Sequence, residues 1–198
     1  MGEEMENSTE DVHLKITKMV LAALFAALMA VGAYISIPIT PLSMVPITLQ
    51  TFFIFLAPLV IGKKWGTISV FVYVLVGLIG FPVFSNGQGG FGVLFGPTGG
   101  YIFSFVFVAY MIGWMYEKSS KKPLPAFLIV FLGCLINLIC GSVYMSFAAH
   151  MPMPLAFLSG FLPFVVGGAI KAAATVLAAT AINKKLEQQR VNSNEGDL

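Results

Sequence analysis

Residues 124–148 read Leu124-Pro-Ala-Phe-Leu-Ile-Val-Phe-Leu-Gly-Cys134-Leu-Ile-Asn137-Leu-Ile-Cys140-Gly-Ser-Val-Tyr144-Met-Ser-Phe-Ala148, without a single charged side chain. A bilayer span needs about 20 mostly apolar residues, so this run is long enough to cross. Similar runs cover about Ile16–Ile37, Val45–Ile61, Gly66–Phe81, Pro97–Tyr116 and Leu155–Ile182. The composition agrees: 58% of the 198 residues are hydrophobic and 10% are charged, against roughly 25% charged in an ordinary soluble domain. The sequence therefore predicts an all-α integral membrane protein of six transmembrane helices. One membrane domain occupies residues 14–184, between a disordered acidic tail (1–13) and a polar tail (185–198).

The charges orient the spans. Lys15 and Lys18 flank the start of the first run, and Lys63 and Lys64 separate the second from the third. Lys118, Lys121 and Lys122 separate the fourth from the fifth, and Lys184, Lys185 and Arg190 follow the sixth. The other connections hold no Lys or Arg, so the positive-inside bias predicts both termini on the cytoplasmic side of a multi-pass protein of the plasma membrane. Of the eleven basic residues only Lys171 falls deep within a span. The net charge of +2, without a basic stripe among aromatics, excludes a nucleic-acid partner.

Several chemistries are excluded too. All nine acids lie in tails or turns, which argues against a proton- or sodium-coupled carrier. No G-x-x-x-x-G-K-[ST] loop is present, so the chain hydrolyses no ATP, and no Ser/His/Asp grouping suggests an enzyme. Neither a metal nor a cofactor is expected. Cys134 and Cys140 read as buried, unliganded thiols.

Residues 80–101, GFPVFSNGQGGFGVLFGPTGGY, hold eight glycines among aromatics on the uncharged side. Consecutive glycines permit a backbone cradle for an anion. Phe81, Phe84, Phe91 and Phe95 are candidate walls for an apolar ligand, and Asn86, Gln88 and Thr98 offer neutral hydrogen bonds. An ordinary extracellular loop before a helix start at Pro97 is the competing reading. Ala22, Ala26 and Ala30 form a small-residue face, with Ala23 and Ala27 on the next ridge. Such a face serves either packing within the bundle or docking onto another subunit. Lys171 has no acid in any span to pair with, and it lies about 20 Å of helix rise from Lys184. Its partner is then either the distant interface or an anion.

The segments Ala26 to Leu28, Val31 to Pro38, Ile47 to Phe52, Gly80 to Phe84, Gly89-Gly90 and Gly96 to Tyr101 together resemble the BioY family. The resemblance covers about residues 14 to 184. It implies a six-helix substrate-binding (S) component of an energy-coupling-factor (ECF) transporter, whose vitamin is biotin. It also implies two kinds of partner, a transmembrane T component and a pair of cytoplasmic ATPases. The Ala22, Ala26 and Ala30 face would dock the T component. The ligand would lie on Phe84, Asn86, Gln88, Gly89, Gly90, Phe91, Thr98, Tyr101, Gly168 and Lys171, its carboxylate held by loop N–H groups and its ring deeper, near Lys171.

One departure stands out. The family pattern P-F-x-P-G-D-x-x-K is here Pro163-Phe164-Val165-Val166-Gly167-Gly168-Ala169-Ile170-Lys171. Gly168 stands in place of an Asp that reads the ureido ring of biotin. Either biotin still binds, with Asn86 or Gln88 and water reading the ring, or the chain takes a carboxylate vitamin with an apolar ring, such as lipoate. A facilitator acting alone is a reading of a different class.

Overall fold

The computed structural model describes residues 2–39 and 42–196. Helix α1 (Gly2–Tyr34) leads into a short antiparallel pair, β1 (Ser36–Ile37) and β2 (Ile47–Thr48), with Ser36 opposite Thr48. Helices α2 (Gln50–Val60) and α3 (Gly62–Leu78) follow almost without a break. A glycine-rich connection then carries one 3-10 turn (Ser85–Gly87) and the short α4 (Phe91–Phe95). Helices α5 (Gly99–Lys118), α6 (Pro123–Ala148), α7 (Met153–Gly160) and α8 (Leu162–Gly196) complete the chain.

Among the described residues, four segments are long and apolar enough to cross a membrane: Val12–Tyr34, Gly99–Lys118, Pro123–Ala148 and Met153–Gln189. The last takes α7 and α8 together. The run expected to be one span from Leu155 to Ile182 is therefore two helices. The break falls at Phe161, where Pro163 supplies no N–H to the preceding turn.

The run expected from Val45 to Ile61 is helical only from Gln50. Pro46 and the β-branched Ile47 and Thr48 favour extended backbone, and Leu49 N–H donates back to Ile35 O at 3.1 Å. The consequence is large. Eleven residues rise only about 16 Å, roughly half the thickness of a hydrocarbon core. α2 packs against α1, α3, α5 and α8, so this half-length helix stands at the centre of the bundle. The space above its N-terminus is left for something else.

Two further expectations are corrected. α1 begins at Gly2, so the acidic segment expected as a disordered tail continues the helix. The polar C-terminal tail likewise extends α8 as far as Gly196. Met1, Asp197 and Leu198 of those tails lie outside the described residues.

The connections sort to two ends. At one, Lys63 N–H donates to Glu117 Oε1 at 2.8 Å, and Lys63 Nζ lies 3.6 Å from Glu117 Oε2. This joins the α2–α3 junction to the end of α5. At the other, Tyr34 Oη donates to Pro82 O, and Ser36 Oγ donates to Asn86 Oδ1 at 2.9 Å. These bonds tie the end of α1 to the glycine-rich connection. Tyr144 Oη, donating to Leu94 O at 2.9 Å, ties α6 to α4 there too.

Candidate functional site

The space above α2 is a cavity of about 160 Å³. Its floor is the start of α2 with Thr48, Gln50, Thr51 and Phe55, and its roof is the glycine-rich connection. α8 supplies one stripe, Pro163, Phe164, Gly167, Gly168 and Lys171, whose spacing places it on a single helix face. The break at Phe161 starts this helix afresh and aims that face at the cavity. α5 and α6 close the side with Thr98, Tyr101, Phe105, Cys134 and Asn137.

Of the residues proposed from sequence, the cavity brings together Phe84, Asn86, Gln88, Thr98, Tyr101, Gly168 and Lys171. Phe84 also anchors the roof. It is 1% exposed, meets Tyr73 edge-on at 5.7 Å, and sits so close to Gly77 that a Cβ there would lie 2.1 Å from the ring. Tyr73 Oη secures the same strand by donating to Val83 O at 2.9 Å.

Gly89, Gly90 and Phe91 are outside the lining. Gly90 turns at φ +88° and its N–H donates to Gly77 O at 2.7 Å. Phe84 N–H donates to Gln88 O at 2.9 Å, and Gly87 N–H to Phe84 O at 3.1 Å. These amides brace the loop, so the expected backbone cradle for a carboxylate does not form from them. Phe81, Phe91 and Phe95 are exposed; Phe91 and Phe95 stand four residues apart on the outer face of α4, whose Leu94 is buried.

The expected docking face is also corrected. Ala22 is buried in the chain's own core, and Ala26 and Ala30 pack against that core. The outward ridge of α1 carries Ala23 and Ala27 between Val20, Leu24 and Val31. Small residues on one ridge let α1 approach α2 and α3; the next ridge, about 100° around the helix, is left outside. Cys140 is exposed, not buried, because it stands about 120° around α6 from the buried Cys134.

Lys171 is the only charged side chain in the lining. Its Nζ donates to Thr51 Oγ1 at 3.2 Å, which ties α8 to α2. Gly168 is buried against α6: a Cβ at this position would lie 2.5 Å from Cys134 Sγ. Tyr101 Oη donates to Gly160 O at 2.8 Å and lies 3.3 Å from Ser142 Oγ, joining α5, α6 and α7. Asn137 donates to Tyr101 O at 3.0 Å and to Ser104 Oγ at 2.6 Å. Sequence reasoning missed Thr51, Gln50, Cys134 and Asn137. Asn137 had a visible signal, as the sole amide in an otherwise apolar span.

A partly open, mostly apolar cavity with convergent amides, hydroxyls and one cation suits a small organic molecule. The sequence pattern of the BioY family matches residues 5–188. The chain belongs to the BioY family. It is 44% identical over 176 residues to "Biotin transporter BioY" of Thermotoga maritima, covering 87% of this chain and 99% of that one. It is 36% identical over 174 residues to "Biotin transporter BioY2" of Lactococcus lactis, covering 88% and 94%. A solved structure, the crystal structure of the S-component for biotin from an ECF-type ABC transporter, superposes with a TM-score of 0.81. That match is 32% identical and covers 86% of this chain and 92% of the other. The fold is thus that of a membrane S component.

Proposed function

We propose that this chain is the substrate-binding S component of an ECF transporter and captures biotin for import. The observation that carries the reading is the cavity above the half-length α2. Four separate family segments converge there: the start of α2, the glycine-rich connection, the start of α5 and the α8 stripe ending at Lys171. The relatives named above are biotin transporters, so a lipoate-like ligand is not favoured.

In this reading α1, the extended segment from Val45 together with α2, α3, α5, α6 and the α7–α8 pair cross the plasma membrane six times, with both termini cytoplasmic. The contact between Lys63 and Glu117 supports it, since both charges then share the basic, inner side. The cavity opens toward the uncharged, outer side. Asn86, Gln88 and Thr98 meet the carboxylate tail near the rim, and the ring lies deeper between Cys134, Asn137, Gly168 and Lys171. The chain is a binding subunit and not an enzyme. A T component and two cytoplasmic ATPases supply the energy, and the outward ridge of α1 is available to the T component.

Uptake of radiolabelled biotin by cells unable to make it tests the proposal. Uptake is expected when this chain is expressed with its T component and ATPases. Equal uptake when the ATPases are omitted or carry inactivated phosphate-binding loops would favour a facilitator acting alone.

A further inference from the structure

Asn137 offers a hydrogen-bond acceptor that the protein itself leaves unused. The residue is 3% exposed and lines the cavity from α6. Its amide nitrogen donates to Tyr101 O and to Ser104 Oγ. A main-chain carbonyl can only accept, so the end of the amide facing Tyr101 must be the NH2 group. This fixes the orientation of the side chain, and Oδ1 is the polar atom that remains. No donor among the described residues reaches it. Ser104 Oγ gives its own proton to Tyr101 O at 2.9 Å, so it holds the NH2 end and leaves Oδ1 unserved. Oδ1 is open to the cavity that Asn137 lines, so a bound molecule that fills the cavity shuts water away from it, and an N–H on that molecule would satisfy the acceptor.

The position of this acceptor gives it a role. Asn137 stands one helical turn beyond Cys134 on the same face of α6. Cys134 Sγ is the atom packed against Gly168. The acceptor therefore borders the part of the cavity from which the carboxylate of the family pattern is missing. We propose that Asn137 Oδ1 takes the place of that carboxylate and accepts a ring N–H of the ligand. The chain then selects a ligand whose ring carries a cyclic urea or amide N–H over one with the same acid tail and no ring N–H. The inference rests on the reading of the cavity as the biotin site and adds the residue that reads the ring. A neutral acceptor replaces a charged one, so the ring bond is weaker than a charge-assisted one.

The test compares biotin with two analogues in which one or the other ureido N–H is replaced by oxygen, a change that adds no bulk. Affinities are measured on the purified full-length chain and on Asn137→Leu. The unaltered chain should bind at least one cyclic carbamate roughly 10- to 100-fold more weakly than biotin, the scale set by leaving a buried acceptor unpaired. In Asn137→Leu the ratio of the two affinities should fall to near unity. Equal binding of biotin and both carbamates by the unaltered chain would overturn the inference, and this comparison stands even where the variant does not fold. Discrimination that persists in Asn137→Leu would overturn it as well, since another group would then be reading the N–H. Failure of the unaltered chain to bind biotin at all would instead overturn the reading of the site, and this inference with it.

Discussion

Gly168 and Cys134 form a packed pair, and the pair allows a quantitative prediction. A Cβ added at 168 would stand 2.5 Å from Cys134 Sγ but 3.9 Å from Cys134 Cβ. The second distance is ordinary contact and the first is a severe overlap. The sulfur ends a side chain with a single rotatable bond, and turning it aside would push it into the cavity that Cys134 lines. Overpacking of this kind costs about 1–3 kcal/mol. Ala in place of Gly inside a helix returns about 0.8–1 kcal/mol. Gly168→Ala should therefore destabilise the native chain by roughly 0–2 kcal/mol. In a Cys134→Ala background the overlap is gone, and the same substitution should stabilise by about 1 kcal/mol. The coupling in the double-mutant cycle is then about 1–3 kcal/mol. Thermal unfolding of the four proteins in one detergent reads it, at roughly 2–4 °C per kcal/mol for a chain of this size. A coupling below about 0.5 kcal/mol, the additivity expected of independent sites, would refute the packing argument.

Other perturbations probe other parts of the account. Gly168→Asp alone should leave biotin affinity little changed, because the thiol fills the space; with Cys134→Ala it should tighten binding, by about 1.5–3 kcal/mol if the carboxylate makes a charge-assisted bond, measured by equilibrium binding. Lys171→Met removes the one charge in the lining and its bond to Thr51; we expect weaker biotin binding with an intact fold, read by titration and by unliganded melting temperature. Tyr101→Phe strips the hydroxyl that joins α5 to α7 at Gly160 and should cost about 1–3 kcal/mol of stability. Ala22→Leu should destabilise the isolated chain by about 1–3 kcal/mol, whereas Ala27→Leu should spare it, since Ala22 is inside the bundle and Ala27 outside.

The membrane character of the fold was legible because it rests on composition and on the placement of Lys and Arg, both one-dimensional signals. The half-length α2 was not. Val45 to Leu49 is as apolar as the helix that follows, and only its pairing with residues distant in sequence, such as Ile35, holds it extended. The break at Phe161 was hidden for a similar reason: hydropathy is continuous across it, and Pro163 is tolerated in a first helical turn. Within the site, residues that face inward by the period of a helix, Gly168 and Lys171, were readable from the family pattern. The loop was harder. Its glycines suggested free amides, yet those of Gly87 and Gly90 satisfy carbonyls of the protein itself. Asn137 and Thr51 belong to other spans, and their approach to Tyr101 and Lys171 is a tertiary fact that no local spacing encodes.

The central claim is that this cavity holds biotin. A thermal-stability titration of the purified chain with biotin and, separately, with lipoate tests it most directly. Biotin at 100 times its dissociation constant should add about 2.7 kcal/mol of stability. Lipoate at the same concentration should add far less. No stabilisation by biotin, or equal stabilisation by lipoate, would contradict the account.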